Sequence, residues 1–258
     1  KKLTSEGMIK YGIIPNDKIL EDKKNKVKAI IVTHCHLDHL GAVPYLAGKY
    51  NCPIIATKYT HEVLKAMMSD ERMKLPNKLL ELGAGGSYKV SNNITIEFVN
   101  STHSTPETVF AVIHTKEGAI VYSNDYKLDN HPVIGRSPDY VKLKKIADSG
   151  VLCLICDSLY SNYDMKTPSE KVAKEMLKDV LFGTNNSGTA IFATTFASHI
   201  ARLKSLSEFA RKLDRKTVFL GRSLAKYADA AKKADVIDFN NVEIVGYAGH
   251  VKRKLKEI

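Results

Sequence analysis

The residues best suited to chemistry in this chain lie at positions 33 to 41, which read T-H-C-H-L-D-H-L-G. Three of the chain's nine histidines and one aspartate fall within six consecutive positions. Imidazoles crowded in this way would repel one another on protonation and would gain nothing from packing. Imidazole and carboxylate groups together suit a borderline-soft divalent ion such as Zn²⁺, which they bind at about 2.0 to 2.2 Å. The segment therefore predicts a metal site.

Four candidate ligands in six residues are more than one open catalytic site normally takes from a single loop. We therefore predict two metal ions that share this loop, one served by the first two histidines and the other by the aspartate and the third histidine: His34 with His36, and Asp38 with His39. Further ligands must come from elsewhere. The best candidates each follow a β-rich run, namely His103 in N-S-T-H-S-T-P-E-T and Asp125 in Y-S-N-D-Y-K. Four other histidines are expected at the surface or as hydrogen-bonded core residues: His61, His114, His131 and His250.

The elements around these ligands can be predicted from the hydrophobic pattern. The apolar run at 27–32 leads directly into the histidine cluster, so the cluster lies on a loop at the carboxyl end of a strand. A short strand, P-I-I-A-T, and a helical stretch, T-H-E-V-L-K-A-M-M, come next. Three further β-rich runs separated by turns then predict an antiparallel sheet: I-T-I-E-F-V-N, T-V-F-A-V-I-H-T and G-A-I-V-Y-S-N-D.

The chain changes character after residue 160. The run Thr167-Pro168-Ser169-Glu170 predicts a capping box with proline at the first helical position, opening a helix that ends near Phe182. Strands and helices then alternate in the order strand, helix, strand, helix, strand: T-A-I-F-A-T-T-F, A-S-H-I-A-R-L-K-S-L-S-E-F-A-R-K-L, T-V-F-L, S-L-A-K-Y-A-D-A-A-K-K-A and V-E-I-V-G-Y. We place a domain boundary at residue 161, which predicts domains at 1–161 and 162–258.

Two cysteines, Cys153 and Cys156, have the C-x-x-C spacing of redox and zinc motifs. They lie in a continuous apolar run, V-L-C-L-I-C, in which residues three apart point to opposite faces of a strand. We therefore predict that both are buried in the core, since a free cysteine packs as a small hydrophobe. Unpaired thiols, with Cys35 between candidate ligands, favour a reducing cytoplasm.

The composition excludes several classes of protein. Apolar residues make up 44% of the chain and charged residues 26%, as in globular proteins, and no apolar run approaches the roughly 18 residues of a membrane span. The first residues hold neither an initiator methionine nor a signal-peptide core, so we expect the natural chain to begin earlier. The net charge is +11, with 14 Lys/Arg against 7 Asp/Glu in residues 201–258. That excess fits a polyanionic partner or a solvated lysine-rich surface.

The segment T-H-C-H-L-D-H-L-G resembles the H-x-H-x-D-H signature of the metallo-β-lactamase superfamily, and His103 and Asp125 match its next histidine and its bridging aspartate. The resemblance implies an α/β fold, the αββα sandwich of that superfamily. It also implies two divalent ions, expected to be Zn²⁺ with Mn²⁺ as the alternative, and a hydroxide held by both as the nucleophile. The implied ligands are His34, His36 and His103 for one ion, Asp38 and His39 for the other, and Asp125 between them, with Asp38 also catalytic.

The second half resembles the β-CASP insertion of ribonuclease J-like proteins, the nucleic-acid-processing cap of one branch of the superfamily. The resemblance rests on C-D-S-L-Y-S-N around Asp157, T-P-S-E, T-T-F-A-S-H-I-A-R-L and G-R-S-L, and G-I-I-P-N-D at 12–17 is similar to archaeal members. It implies that both domains are partial here, without the first N-terminal strands and without two histidine motifs beyond the cap, one a metal ligand and one a general acid. Asp157 would orient a ligand or that acid as a catalytic residue.

Two predicted helix N-termini in the second half each follow a strand directly. Each offers backbone N–H groups, a hydroxyl and a basic residue, which together suit a phosphate group of RNA. Ordinary N-capping by the two serines is the alternative. The candidate RNA-binding residues are Ser198, His199 and Arg202 in the first and Arg222 and Ser223 in the second.

These features lead to the hypothesis of a metal-dependent ribonuclease that hydrolyses RNA phosphodiester bonds in RNA processing and decay. The resemblance implies 5′-to-3′ exonuclease action, with endonuclease activity as a second mode, on single-stranded, 5′-monophosphorylated RNA. It also implies a cytoplasmic protein with no membrane partner and a homodimer formed through parts outside this chain. Two alternatives stay open: a non-catalytic β-CASP RNA-binding subunit, and a small-molecule metallo-hydrolase of the thioesterase or lactamase type.

Overall fold

The computed structural model describes residues 3–255. They divide into two compact units, the first holding residues 3–100, 107–124 and 139–157, and the second holding residues 101–106, 125–138 and 158–255. The last change of unit along the chain comes after Asp157. The domain boundary at residue 161 stays a prediction.

The first unit begins with helices and a small parallel sheet. Its helices are α1 (Ser5–Lys10), α2 (Leu37–Leu40), α3 (Val43–Leu46), α4 (Lys58–Asp70) and α5 (Tyr140–Asp148), with 3-10 helices at Asp17–Lys26 and Ala47–Lys49. The small sheet holds β1 (Ile30–Val32), β2 (Ile54–Ala56) and β3 (Leu79–Glu81) in that order, all parallel. Parallel neighbours need long crossovers, and helix α4 lies in the connection from β2 to β3. The strand predicted at 27–32 is therefore confirmed, although it begins only at Ile30.

A five-stranded sheet completes the first unit. Its strands are β4 (Ser87–Ser91), β5 (Ile94–Asn100), β6 (Val109–His114), β7 (Ala119–Asn124) and β8 (Val151–Cys156), paired in that order. The pairs from β4 to β7 are antiparallel, which confirms the predicted meander, whereas β8 runs parallel to β7 after the crossover through α5.

Both faces of β5 and β6 are buried, because alternate side chains of a strand point to opposite sides of its sheet. On one face, Phe98 and Val109 join a buried cluster that includes Ile55 of β2, so this face packs on the small sheet. On the other, Val99 and Phe110 join a buried cluster that includes Ile146 of α5. The first unit thus has helix, sheet and sheet in successive layers.

Strand β8 corrects the prediction for the two cysteines. Both Cys153 and Cys156 are exposed, as are the other residues of this strand. The strand itself forms as expected, but it lies at the edge of the sheet and pairs only with β7 among the described residues. A continuous apolar run therefore indicated a strand correctly, whereas burial depends on the layers that cover it.

The second unit alternates helices and strands over most of its length. It contains α6 (Glu170–Gly183), α7 (Ile200–Lys212), β9 (Thr217–Leu220), α8 (Arg222–Lys233), β10 (Val242–Val245) and α9 (Ala248–Leu255), and β9 and β10 pair in parallel. Helix α7 buries Ile200, Leu203 and Phe209. At 3.6 residues per turn Ile200 and Phe209 point to opposite sides, so the helix is covered on more than one side. Across residues 3–255, the structure contains no helix with the length and apolarity that crossing a membrane requires.

Two local predictions in this unit are wrong. Residues 189–196, predicted as a strand, form neither a helix nor a strand, and no described strand pairs with them. A strand needs a neighbour for its backbone N–H and C=O groups, and β-rich sequence alone does not supply one. Helix α6 is capped by Ser169 rather than Thr167: the Ser169 side chain accepts a hydrogen bond from the Lys171 N–H, so Glu170 is the first helical residue.

Candidate metal centre

The histidine loop begins where β1 ends. Residues Thr33, His34 and Cys35 are buried directly after this strand, so the strand's carboxyl end holds the first candidate ligand in the interior. His36 is the N-cap of α2 and makes no capping bond with its side chain. The one-turn helix α2 then brings His39 close to His34, with ring centroids 4.1 Å apart. The chain therefore gathers three imidazoles within a strand end and a single helical turn.

The spacing of the nitrogen atoms in this loop suits a metal ion. The His34 Nε2 and His36 Nδ1 atoms lie 3.2 Å apart. Two nitrogens bound to one tetrahedral zinc, each at 2.0 to 2.1 Å, lie about 3.3 Å apart. Asp38 is the most exposed of the candidates, with 75% of its side chain accessible, and its Oδ2 atom lies 3.5 Å from His39 Nε2.

His103 and Asp125 follow strands β5 and β7, which are the two neighbours of β6. Their Nε2 and Oδ2 atoms lie 3.8 Å apart. The turn into Asp125 is fixed by Asn124, whose backbone has a φ of 47° and whose side-chain amide donates to the Val109 carbonyl at 2.6 Å. Asparagine tolerates this left-handed conformation better than most residues, so the local sequence supports the turn.

The structure brings the candidate ligands of the two segments into two groups. In each group, every residue offers a ligand atom within 4.8 Å of those of the others: His34, His36, His103 and Asp125 in one group, and Asp38, His39 and Asp125 in the other. Asp125 is common to both. This grouping follows the division expected from the sequence, while the assignment of each residue as a ligand stays a proposal. The four histidines expected at the surface or as hydrogen-bonded core residues are outside both groups, as that expectation requires: His61, His114, His131 and His250.

The remaining catalytic candidate, Asp157, lies just past the carboxyl end of β8 and is exposed. It is in neither group of potential ligands. Its role in orienting a ligand or an acid therefore stays a prediction.

The candidate RNA-binding residues lie at the beginnings of α7 and α8, as expected. His199 is the N-cap of α7 and Gly221 is the N-cap of α8, and neither helix start receives a capping bond from a side chain. The alternative of N-capping by Ser198 and Ser223 is therefore wrong. Arg222 is the first residue of α8 and is exposed.

Arg202 differs most from the sequence-based expectation, because its guanidinium already holds a carboxylate. Its Nε atom donates to Glu170 Oε1 at 2.7 Å, and its Nη2 atom donates to Glu170 Oε2 at 3.2 Å. The His199 Nε2 atom lies 3.4 Å from the same carboxylate. Glu170 was interpreted from the sequence only as part of a capping box, so sequence reasoning missed this buried acidic residue. The T-P-S-E motif drew attention to Glu170, but two of the side chains that this residue contacts, His199 and Arg202, lie 29 and 32 positions further along the chain.

Comparison with known proteins bears on both halves of the chain. A model of the beta-lactamase superfamily domain matches residues 15–139, and a model of the ribonuclease J beta-CASP domain matches residues 188–257. Over its whole length the chain is 44% identical to "Ribonuclease J" of Methanocaldococcus jannaschii and 43% identical to that of Pyrococcus abyssi. The chain belongs to the ribonuclease J family. It covers 58% and 57% of the length of these two ribonucleases J.

Family membership accounts for the architecture. The chain has the metallo-β-lactamase fold with a β-CASP region, as the two matching family models describe. A crystal structure of a protein of unknown function from Enterococcus faecalis V583 has a similar fold, with a TM-score of 0.59 and 18% identity over 88% of this chain and 54% of that one. The fold and the grouped histidine and aspartate side chains together indicate a site for divalent metal.

Proposed function

We propose that this ribonuclease J-family chain is part of a metal-dependent ribonuclease that hydrolyses RNA phosphodiester bonds in RNA processing and decay. The observation that carries the proposal is the pair of ligand groups that share Asp125. One shared carboxylate between two sets of donors is the arrangement that holds two ions within reach of a single phosphate. The proposed ligands are those of the two groups, with Asp38 also close to the reacting atoms.

The donor set favours zinc for this centre, because imidazole nitrogen predominates in one group and carboxylate oxygen is present in both. Manganese is the alternative. When bound, the ions would polarise the phosphodiester and lower the pKa of a water molecule. The chain's own contribution is to hold the donors in place: β1 buries His34, and the Asn124 turn fixes the backbone before Asp125.

The RNA backbone would be held by the basic second half of the chain. The first turns of α7 and α8 carry backbone N–H groups with no side-chain cap, and Arg222 adds an exposed cation beside the second of them. Helix N-termini and arginine are common phosphate partners. We propose that Ser198, His199, Arg222 and Ser223 contact RNA phosphates and that Arg202 supports them through Glu170 rather than by direct contact.

The finer assignments belong to the same proposal. We propose 5′-to-3′ exonuclease action on single-stranded, 5′-monophosphorylated RNA, and a homodimer as the working form. The polarity can be measured with RNA labelled at one end: release of labelled mononucleotides from the 5′ end is expected, and release from the 3′ end would contradict it.

The proposed function is tested by one substitution at the shared carboxylate and one at a matched surface position. We expect Asp125→Asn in the intact protein to lower RNA cleavage by about 100-fold or more and to reduce the bound metal, since removing a shared ligand weakens both ions. Asp148→Asn removes a carboxylate whose only described partner is Lys144 on the surface of α5, and it should leave both quantities unchanged. Metal content is measured by elemental analysis and cleavage with labelled RNA.

Each alternative function has its own outcome in this experiment. A parent protein that binds RNA without metal and without cleavage would be a binding subunit. A parent that holds metal and hydrolyses a thioester or β-lactam, but does not bind RNA, would be a small-molecule hydrolase. Equal activity of Asp125→Asn and the parent would remove the metal centre from the mechanism.

A further inference from the structure

The two segments of the second unit that carry His103 and Asp125 are tied together by Thr102. The Thr102 carbonyl accepts a hydrogen bond from the Lys127 N–H at 2.8 Å, and its hydroxyl oxygen accepts one from the Asp129 N–H at 3.1 Å. The same hydroxyl donates to the Lys127 carbonyl. The position of Asp125 beside His103 therefore depends on where residues 127–129 are held.

Asp129 holds these residues to the start of α6. It is only 5% exposed; its Oδ2 atom accepts from the Glu170 N–H at 2.8 Å, and its Oδ1 atom accepts from the His131 N–H at 2.9 Å. Burial by itself would raise the pKa of the Asp129 carboxyl, but hydrogen bonds from Ser169 and these backbone groups, with the charge of Lys127, lower it. Asp129 is therefore an ionised, buried anchor between the ligand segment and the helix.

Glu170 continues this connection to α7. It is also 5% exposed, and it binds Arg202 through two hydrogen bonds and lies 3.4 Å from His199. The Lys127 Nζ atom lies 3.9 Å from Glu170 Oε2 and 3.7 Å from Asp129 Oδ2. The Lys127 ammonium group therefore lies within ion-pair distance of both carboxylates. A continuous set of contacts runs from the residue before His103 to the first turn of α7.

We propose that Glu170 is a positioning residue that ties the first turn of α7 to the segment carrying Asp125, so that phosphate binding and metal binding share one rigid frame. This inference rests on the proposed function, because it assigns a phosphate to α7 and a metal to Asp125. It gives Glu170 and Arg202 a role in placing the RNA backbone relative to the ions. Such placement matters because small displacements of reacting atoms lower rates strongly.

The chemistry of the network favours a fixed geometry over a loose surface contact. Arginine and carboxylate in a two-bond arrangement restrict each other's orientation as well as their distance. Removing one member of a buried charged set leaves the other charges without compensation, so neighbouring groups must move or bind water. For Glu170 the groups left behind are Arg202 and Lys127, and Lys127 is two residues from Asp125.

The test is Glu170→Gln in the intact protein, compared with Lys174→Gln. The control breaks the ion pair between Lys174 and Glu208, which also joins α6 to α7 but lies outside the network that reaches the ligand segment. We expect Glu170→Gln to lower Zn²⁺ affinity, and kcat on 5′-labelled RNA, by about tenfold or more. For Lys174→Gln we expect both to stay within about twofold of the parent. Thermal unfolding of both variants shows whether they are folded at the assay temperature.

A purely structural role for Glu170 would lower the unfolding temperature and leave the Zn²⁺ affinity of the folded protein equal to that of Lys174→Gln; that result overturns the proposal. Zn²⁺ titration needs no RNA, so it decides the matter even if the parent does not cleave RNA, a failure that counts against the proposed function instead. If Glu170→Gln does not fold, Arg202→Lys is used, because it keeps the charge and loses the two-bond geometry. Parent-like Zn²⁺ affinity in that variant would equally overturn the proposal.

Discussion

At the scale of single residues, the proposed chemistry depends on a small number of buried polar side chains and on the groups that each of them contacts. His34 is buried because it directly follows β1. It can bind a cation together with His36 of the same loop and with His103 and Asp125. Glu170 is buried with three side chains around its carboxylate, those of Lys127, His199 and Arg202. Both cases follow the rule that a buried polar group needs partners.

Glu170 leads to a prediction for the dependence of stability on pH. Burial alone would raise the pKa of its carboxyl, but hydrogen bonds from His199 and Arg202 outweigh burial and hold that pKa at about 2. A carboxyl with a lowered pKa in the folded state stabilises the fold above its unfolded pKa of about 4.5, and this contribution is lost as the pH falls towards 2.

We therefore expect the parent protein to lose stability between about pH 4.5 and pH 2 more steeply than Glu170→Gln, which has no carboxyl to titrate. Urea unfolding across this pH range measures the difference. Parallel pH profiles for the two proteins would show that Glu170 has a normal pKa in the folded state.

At the scale of elements, the sequence of β8 correctly predicted that a strand forms, but it did not predict which elements cover that strand. Strands β5 and β6 alternate between two buried clusters, one on the small sheet and one on α5. Strand β8 has an equally apolar sequence but lies at the edge of the same sheet and is exposed. The local sequence also left the start of a helix open. Both Thr167 and Ser169 could cap α6, and in the structure Ser169 does so.

The exposure of β8 predicts thiol reactivity in the 258-residue chain. Cys153 and Cys156 are exposed, whereas Cys35 and Cys52 are buried. We expect two thiols to react rapidly with a chromogenic disulfide in the native chain and all four to react after unfolding. Mass spectrometry of the labelled peptides identifies the fast pair. Rapid labelling of Cys35 in the native chain would contradict the burial of the histidine loop.

At the scale of the whole molecule, charge and family membership support RNA as the partner in different ways. The net charge of +11 by itself fits any polyanion or a solvated surface. The resemblance that the sequence suggested is confirmed by the two family models and by the relatives from two archaea. These relatives are longer than this chain, so the activity of a complete protein is a proposal to be tested.

Salt dependence provides a test at this scale. If about three backbone phosphates of single-stranded RNA are neutralised, the logarithm of the binding constant should fall with the logarithm of salt concentration with a slope of about −2. Arg222→Gln should reduce the steepness of this slope, because it removes one cation at the start of α8. Fluorescence anisotropy with a labelled oligonucleotide measures both. Binding that does not change with salt would exclude a phosphate-based interface.

The sequence by itself determined which segment carries the clustered candidate metal ligands, the meander of β5 to β7 and the alternation of helices and strands after residue 197. These features depend on local spacing and hydrophobic period, which neighbouring residues record directly. Only the tertiary structure decided that Cys153 and Cys156 are exposed, that residues 189–196 are not a strand, and that the buried Glu170 forms an ion pair with Arg202. Exposure, strand pairing and ion pairs depend on residues that are distant in the chain, and no local pattern specifies those partners.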